Sequence, residues 1–168
     1  MRELAVSKKD IENVTKALAE CLNKEYKGQS VIFIGVLNGC FMFFSDLMKQ
    51  IELDCEIDFI SVKSYSNNKQ VTFELIKNIT LNIKDKVVIL IDDVFDSGAT
   101  KEAITGLLGV KNPREIKWCF LLAKNHQPTP DCWIGVTLHQ NWFVYGYGLD
   151  NNGKDRNLQE IYYDDNED

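Results

Sequence analysis

Val87-Val88-Ile89-Leu90-Ile91-Asp92-Asp93-Val94-Phe95-Asp96-Ser97-Gly98-Ala99-Thr100 is the stretch on which the fold turns. Its first five residues are apolar and mostly β-branched, and they stop abruptly at two adjacent carboxylates. A short apolar run bounded by polar turn residues suits a strand buried on both faces, as in a parallel sheet. The small residues Asp96 to Thr100 follow, and then Ile104, Leu107 and Leu108 mark the apolar stripe of a helix. In an open α/β sheet this order places the turn at the carboxyl end of a strand, where ligands bind. The free N–H groups of a helix N-terminus suit a phosphate there. The carboxylates suit a magnesium ion or hydroxyl groups beside it. Together these features point to a sugar phosphate.

Working outward, Val31–Val36 reads as a second buried strand, with a turn at Leu37-Asn38-Gly39-Cys40 and a helix over Phe41–Met48. Its turn should lie at the same sheet edge as Asp92. Ser7-Lys8-Lys9-Asp10 approximates a capping box and opens a helix striped by Ile11, Val14, Leu18, Cys21 and Leu22 down to about Tyr26. Cys55–Tyr65 and Val71–Leu75 alternate as strands around a polar break, which predicts a hairpin with a mobile tip. Glu115–Lys124 is a further strand that ends in a lysine, and residues 125–131 form a turn-rich loop. Cys132–Val136 and Trp142–Gly148 read as short strands. The expectation is an α/β domain with a mainly parallel central sheet flanked by helices.

A chain of 168 residues fits one domain, expected over 1–160, with an acidic and solvated tail at 161–168. The formal net charge of −6 and pI near 5.0 argue against non-specific nucleic-acid binding. No apolar run approaches the ~20 residues of a membrane span, and the start, Met1 to Ser7, has no signal-peptide core. Five scattered cysteines without paired spacing speak for reduced core thiols and a cytoplasmic protein, against disulfides or zinc. His126 and His139 fall in no triad or metal motif.

The string from Val88 to Thr100 resembles the phosphoribosyl-pyrophosphate-binding motif of the purine phosphoribosyltransferases: a hydrophobic strand, two acids, two apolar residues, then Asp-Ser/Thr-Gly-x-Thr. It lacks the glycine spacing and the Gly-Lys-Ser/Thr ending of a Walker A loop. Gly35-Val36-Leu37-Asn38-Gly39-Cys40 resembles the family's pyrophosphate loop, departing from it at Asn38 and Cys40, and so loses a lysine charge at Asn38. Asp58-Phe59 with Lys63-Ser64-Tyr65 resembles the start of its flexible lid. Phe143-Val144-Tyr145-Gly146-Tyr147-Gly148-Leu149-Asp150, with Arg156 six residues on, resembles its base-binding hood, formed mainly by 124–158. Trp142 stands where many relatives carry a lysine.

The resemblance, which runs from about Val31 to Leu158, implies the type I phosphoribosyltransferase fold. It implies transfer of 5-phosphoribosyl from phosphoribosyl pyrophosphate to N9 of a 6-oxopurine, hypoxanthine or guanine, with IMP or GMP and pyrophosphate as products. It assigns Leu37, Asn38 and Gly39 to pyrophosphate, Ser64 and Tyr65 to the lid, and Asp92 and Asp93 to ribose hydroxyls. Magnesium would be held by Asp92, Asp93 and Asp150. Asp96 would be the catalytic base, and the N–H groups of Asp96, Ser97, Gly98, Ala99 and Thr100 would hold the 5′-phosphate. Lys124 would donate to purine O6, Phe143 would stack on the base, the Val144 carbonyl would accept from its edge, and Arg156 would reach pyrophosphate. A homodimer or homotetramer is implied as well. The competing readings are a phosphoribosyl-pyrophosphate-sensing regulator, a xanthine-preferring transferase, and an α/β domain without activity.

Overall fold

The computed structural model describes residues 2–67, 70–124, 129–139 and 142–165. The hairpin tip at 68–69, the loop at 125–128 with His126, and residues 166–168 of the expected tail lie outside them.

In chain order the elements are β1 (Glu3–Val6), α1 (Lys8–Glu25), β2 (Val31–Leu37), α2 (Phe41–Met48), β3 (Cys55–Asn67) and β4 (Gln70–Lys77). Then follow β5 (Val87–Phe95), α3 (Ala99–Gly109), β6 (Glu115–Lys124), β7 (Cys132–Leu138), β8 (Trp142–Tyr145) and β9 (Ile161–Asp165). Six strands form one sheet in the order β4-β3-β2-β5-β6-β7. All its neighbours are parallel except the β3–β4 hairpin, and a second sheet has the order β1-β9-β8. This is the expected mainly parallel α/β architecture.

Alternation along the central strands explains the layers. Val31 and Phe33 of β2, with Val87, Ile89 and Ile91 of β5, enter a core that includes α1, α2 and the small sheet. Ile32 and Ile34, with Val88 and Leu90, enter a second core under α3. A strand buried on both faces must be apolar at every position, which is why the opening stretch reads as a continuous run. The Ser7 cap of α1 is as expected, its hydroxyl accepting from the Asp10 N–H at 3.2 Å.

The expected 161–168 tail needs correcting. Residues 161–165 are β9, the central strand of the small sheet, paired with both β1 and β8. Ile161 is fully buried, and the Tyr163 ring stacks on Trp142 with centroids 3.8 Å apart. The Tyr163 hydroxyl donates to Glu3. Pairing and apolar packing outweigh the acidic composition. The small sheet that holds β8 therefore draws on both ends of the chain, where the hood was expected mainly over 124–158. The strand expected over 142–148 ends at Tyr145, since Gly146, Tyr147 and Gly148 all take positive φ. Among the described residues no helix is long and apolar enough to cross a membrane.

Candidate active site

The chain leaves β2 toward β3 on one side, while β5 lies on its other side. The crossover directions therefore diverge at the carboxyl ends of β2 and β5, and an open α/β sheet has its ligand crevice at such a point. A cleft of about 420 Å³ lies there. Of the expected site residues, Leu37, Gly39, Ser64, Asp92, Asp93, Asp96, Ser97, Gly98, Thr100, Asp150 and Arg156 line it. Four segments distant in sequence thus meet in one space.

The loop after β2 comes closest to the acid pair. The Leu37–Asn38 peptide is cis. A Cβ added at Gly39 would overlap the Asp93 carboxylate, with its Cγ only 2.7 Å away. Gly148, at φ +102°, faces the same loop from the hood, and a Cβ there would overlap the Gly39 carbonyl oxygen. Both glycines are there because neighbours fill the space a side chain would take. Asn38 does not line the cleft; its carbonyl accepts from the Phe41 N–H at 3.2 Å, starting α2.

Asp92 is 8% exposed, and its Oδ1 accepts from the Asp93 N–H at 2.9 Å, while Asp93 Oδ1 accepts from the Val94 N–H at 2.7 Å. Burial first, then the neighbouring Asp93 charge, pushes Asp92 well above the ordinary carboxylate range. Burial raises Asp93 too, against its hydrogen bonds and the Arg156 charge. Burial and the same two acids push the buried Cys40 thiol up. A shared, buried acid pair that resists ionisation is a place where a divalent cation or sugar hydroxyls are welcome. No group of three or more His, Cys, Asp or Glu is placed to hold a metal among the described residues. Asp92, Asp93 and Asp150 therefore form no closed cage. Magnesium usually keeps several waters and needs only one or two carboxylates from the protein, so the acid pair is the part of the cleft that could hold one.

The turn after β5 opens α3. Gly98, left-handed at φ +83°, and Thr100 line the cleft where α3 begins, and Gly98, the N-cap residue, offers no side-chain cap. The Ser97 hydroxyl accepts from the Ala99 N–H at 3.4 Å. Across the cleft, Arg156 is held by the Gly148 carbonyl at 2.7 Å and by Asp150 at 3.1 Å, and Asp150 Oδ2 also accepts from the Gly153 N–H at 2.8 Å.

Besides Asn38, five expected residues do not line the cleft. Lys124 does not line the cleft, yet its Nζ is 3.3 Å from Asp96 Oδ2, which joins it to the site. Tyr65 lies on the hairpin and donates to Glu74 at 2.8 Å. Ala99 opens α3, and its N–H donates to the Ser97 hydroxyl. Phe143 is 41% exposed on the hood, and Val144 on the other face of β8 is 6% exposed within the core. The cleft also takes Phe73, which pairs across the hairpin with Ser64, together with Phe95, Phe120 and Lys101. Apolar residues of this kind read as core in sequence. Lys101 alone carried a signal, a cation one residue beyond the phosphate-ready turn.

Residues 4–152 match the family model of the phosphoribosyl transferase domain. The chain is 34% identical over 166 residues to the hypoxanthine-guanine phosphoribosyltransferase of Staphylococcus aureus, covering 96% of this chain and 92% of that one. A relative of the same name from Staphylococcus epidermidis is 31% identical with the same coverage. Among solved structures, a hypoxanthine phosphoribosyltransferase from S. aureus superposes with a TM-score of 0.88 at 33% identity, covering 96% of this chain and 90% of that chain. A hypoxanthine-guanine phosphoribosyltransferase from Bacillus anthracis gives 0.85 at 32%, covering 96% of each.

Proposed function

The chain belongs to the phosphoribosyltransferase family, and from that premise we propose that it transfers 5-phosphoribosyl from phosphoribosyl pyrophosphate to N9 of hypoxanthine or guanine. It is a purine-salvage transferase. The observation that carries the reading is one cleft in which the acid pair and phosphate turn of β5 face Asp150 and Arg156 of the hood.

In this reading, breaking the bond to pyrophosphate leaves positive charge on the ribose and negative charge on the departing group. Arg156, held by Gly148 and Asp150, donates its remaining N–H groups to that anion. The N–H groups of Asp96 to Thr100 and the Ser97 and Thr100 hydroxyls hold the 5′-phosphate at the start of α3. Those of Leu37, Asn38 and Gly39 serve pyrophosphate, and Asp92 and Asp93 orient the ribose hydroxyls. Asp96 accepts the ring proton as the bond to N9 forms. Lys124, beside it, donates to O6, a group that favours a 6-oxopurine over a 6-aminopurine. Phe143 stacks on the base, and the Val144 carbonyl accepts from its edge. The hairpin carrying Ser64 and Tyr65 closes to keep water from the cationic sugar. Asp92, Asp93 and Asp150 would hold magnesium, which would supply charge neutralisation to the pyrophosphate. Cytoplasmic residence, supported by five free cysteines, and a homodimer or homotetramer belong to the same proposal.

A panel of hypoxanthine, guanine, xanthine and adenine with phosphoribosyl pyrophosphate and magnesium tests it, following nucleotide formation. IMP or GMP is the expected product, without AMP. Absence of product with every purine overturns it in favour of a regulator that senses phosphoribosyl pyrophosphate, and a dominant XMP product reassigns the base.

A further inference from the structure

Lys101 occupies the third position of α3, one residue past Thr100, and belongs both to the lining of the cleft and to that of a second pocket of about 270 Å³, which Asp131 also lines. A cation in the first turn of a helix opposes the macrodipole, which favours negative charge there. The cost is offset by Asp131, in the turn just before β7, whose Oδ2 lies 2.5 Å from Lys101 Nζ. The Lys101 side chain is 22% exposed and that of Asp131 51%, so the acid is the more open to solvent of the two. Asp131 is itself tethered by the Thr129 hydroxyl at 2.6 Å.

The charges around the cleft give this pair a meaning. The described lining residues include four carboxylates, Asp92, Asp93, Asp96 and Asp150, and two cations, Arg156 and Lys101. Arg156 belongs to the hood and already bonds Gly148 and Asp150. Lys101 is the cation on the phosphate-turn side. A lysine, unlike a planar arginine fork, is a compact charge on a flexible four-carbon stem that can change partners with little reorganisation.

Resting on the proposed transferase reading, we infer that Lys101 is a further donor-binding residue, which exchanges its ion pair with Asp131 for the 5′-phosphate. Helix N–H groups and a mobile cation then act together on one dianion, and Asp131 serves as the resting place of the charge.

The test is a pair of variants with opposite expected effects. Lys101→Met should raise the KM for phosphoribosyl pyrophosphate about tenfold or more, the loss of one charge-assisted hydrogen bond. The KM for the purine and kcat should stay within about threefold. Asp131→Asn, which frees the lysine, should leave the donor KM unchanged or lower it, and Lys101→Arg should restore most of the binding. Calorimetric binding of ribose 5-phosphate to each folded variant, checked by thermal melting, reads the same contact without turnover. A merely structural pair would make Lys101→Met and Asp131→Asn move together. An unchanged donor KM and ribose 5-phosphate affinity in Lys101→Met, or a rise in donor KM in both variants, overturns the inference while leaving an active wild type and its transferase assignment intact. An inactive wild type sinks the assignment itself, and ribose 5-phosphate binding then still decides the role of Lys101.

Discussion

Gly39→Ala is the sharpest single perturbation of the cleft. The added Cβ would stand 2.7 Å from Asp93 Cγ and overlap the carboxylate. Carbon atoms in contact prefer about 3.5–4.0 Å, and Asp93 Oδ2 is nearer still than Cγ, so the carboxylate has to retreat by at least about 1 Å. Misplacing a positioning group by about 1 Å costs ~100-fold in rate, or about 2.7 kcal/mol of transition-state stabilisation. Overpacking should also lower stability by about 1–3 kcal/mol. Steady-state kinetics with hypoxanthine, together with thermal melts, separate the two effects. In an Asp93→Ala background the obstructing carboxylate is gone, and Gly39→Ala should cost much less, a coupling that a double-mutant cycle measures directly. Activity of Gly39→Ala within threefold of wild type, or strict additivity with Asp93→Ala, would refute the idea that this gap fixes the acid pair.

Gly106, on the exposed side of α3 with open space around it, is the converse case. Gly106→Ala should raise stability by up to about 1 kcal/mol, a few degrees in Tm, with unchanged kinetics. Asp96→Asn should lower kcat by about 10²–10⁴-fold with an unaltered melting curve, as expected for a lost general base. Asp58 gives a pH prediction. Burial works against its ionisation, but the N–H groups of Thr80, Phe59 and Leu81 and the Lys77 ammonium win and hold it at about 2. A depressed carboxylate contributes stability above its unfolded pKa, and that contribution disappears as pH falls from about 4 through 2. Denaturant titrations over this window should show a steeper loss in wild type than in Asp58→Asn, and parallel curves would remove Asp58 from the account.

Most of the central sheet was legible because its signals are local. β2 and β5 are uninterrupted apolar runs, and α1 carries both a cap and a stripe. β1 and β9 were not legible because each is short and finds its partner at the far end of the chain, as Leu4 does at Tyr162. The acids of β9 masked its alternation. In the candidate site, the acid pair and turn could be read from one continuous string. The gap at Gly39, the ion pair of Lys101 with Asp131 and the joining of Lys124 to Asp96 depend on distances between segments, which no local pattern encodes. Phe143 and Val144 were read as a pair from the family string, and strand alternation sends them to opposite faces of β8.

The β1-β9-β8 order has a consequence for the birth of the molecule. β9 is the middle strand, so during synthesis β1 emerges first and waits some 155 residues for the segment that joins it to β8. The six-stranded sheet and its phosphate turn can assemble on the ribosome before then, leaving the hood as the last part to close. A nascent chain halted before Ile161 should therefore hold a phosphate-binding half without a finished roof over the base. On the proposed placing of the base under the hood, specificity for the purine would be acquired last.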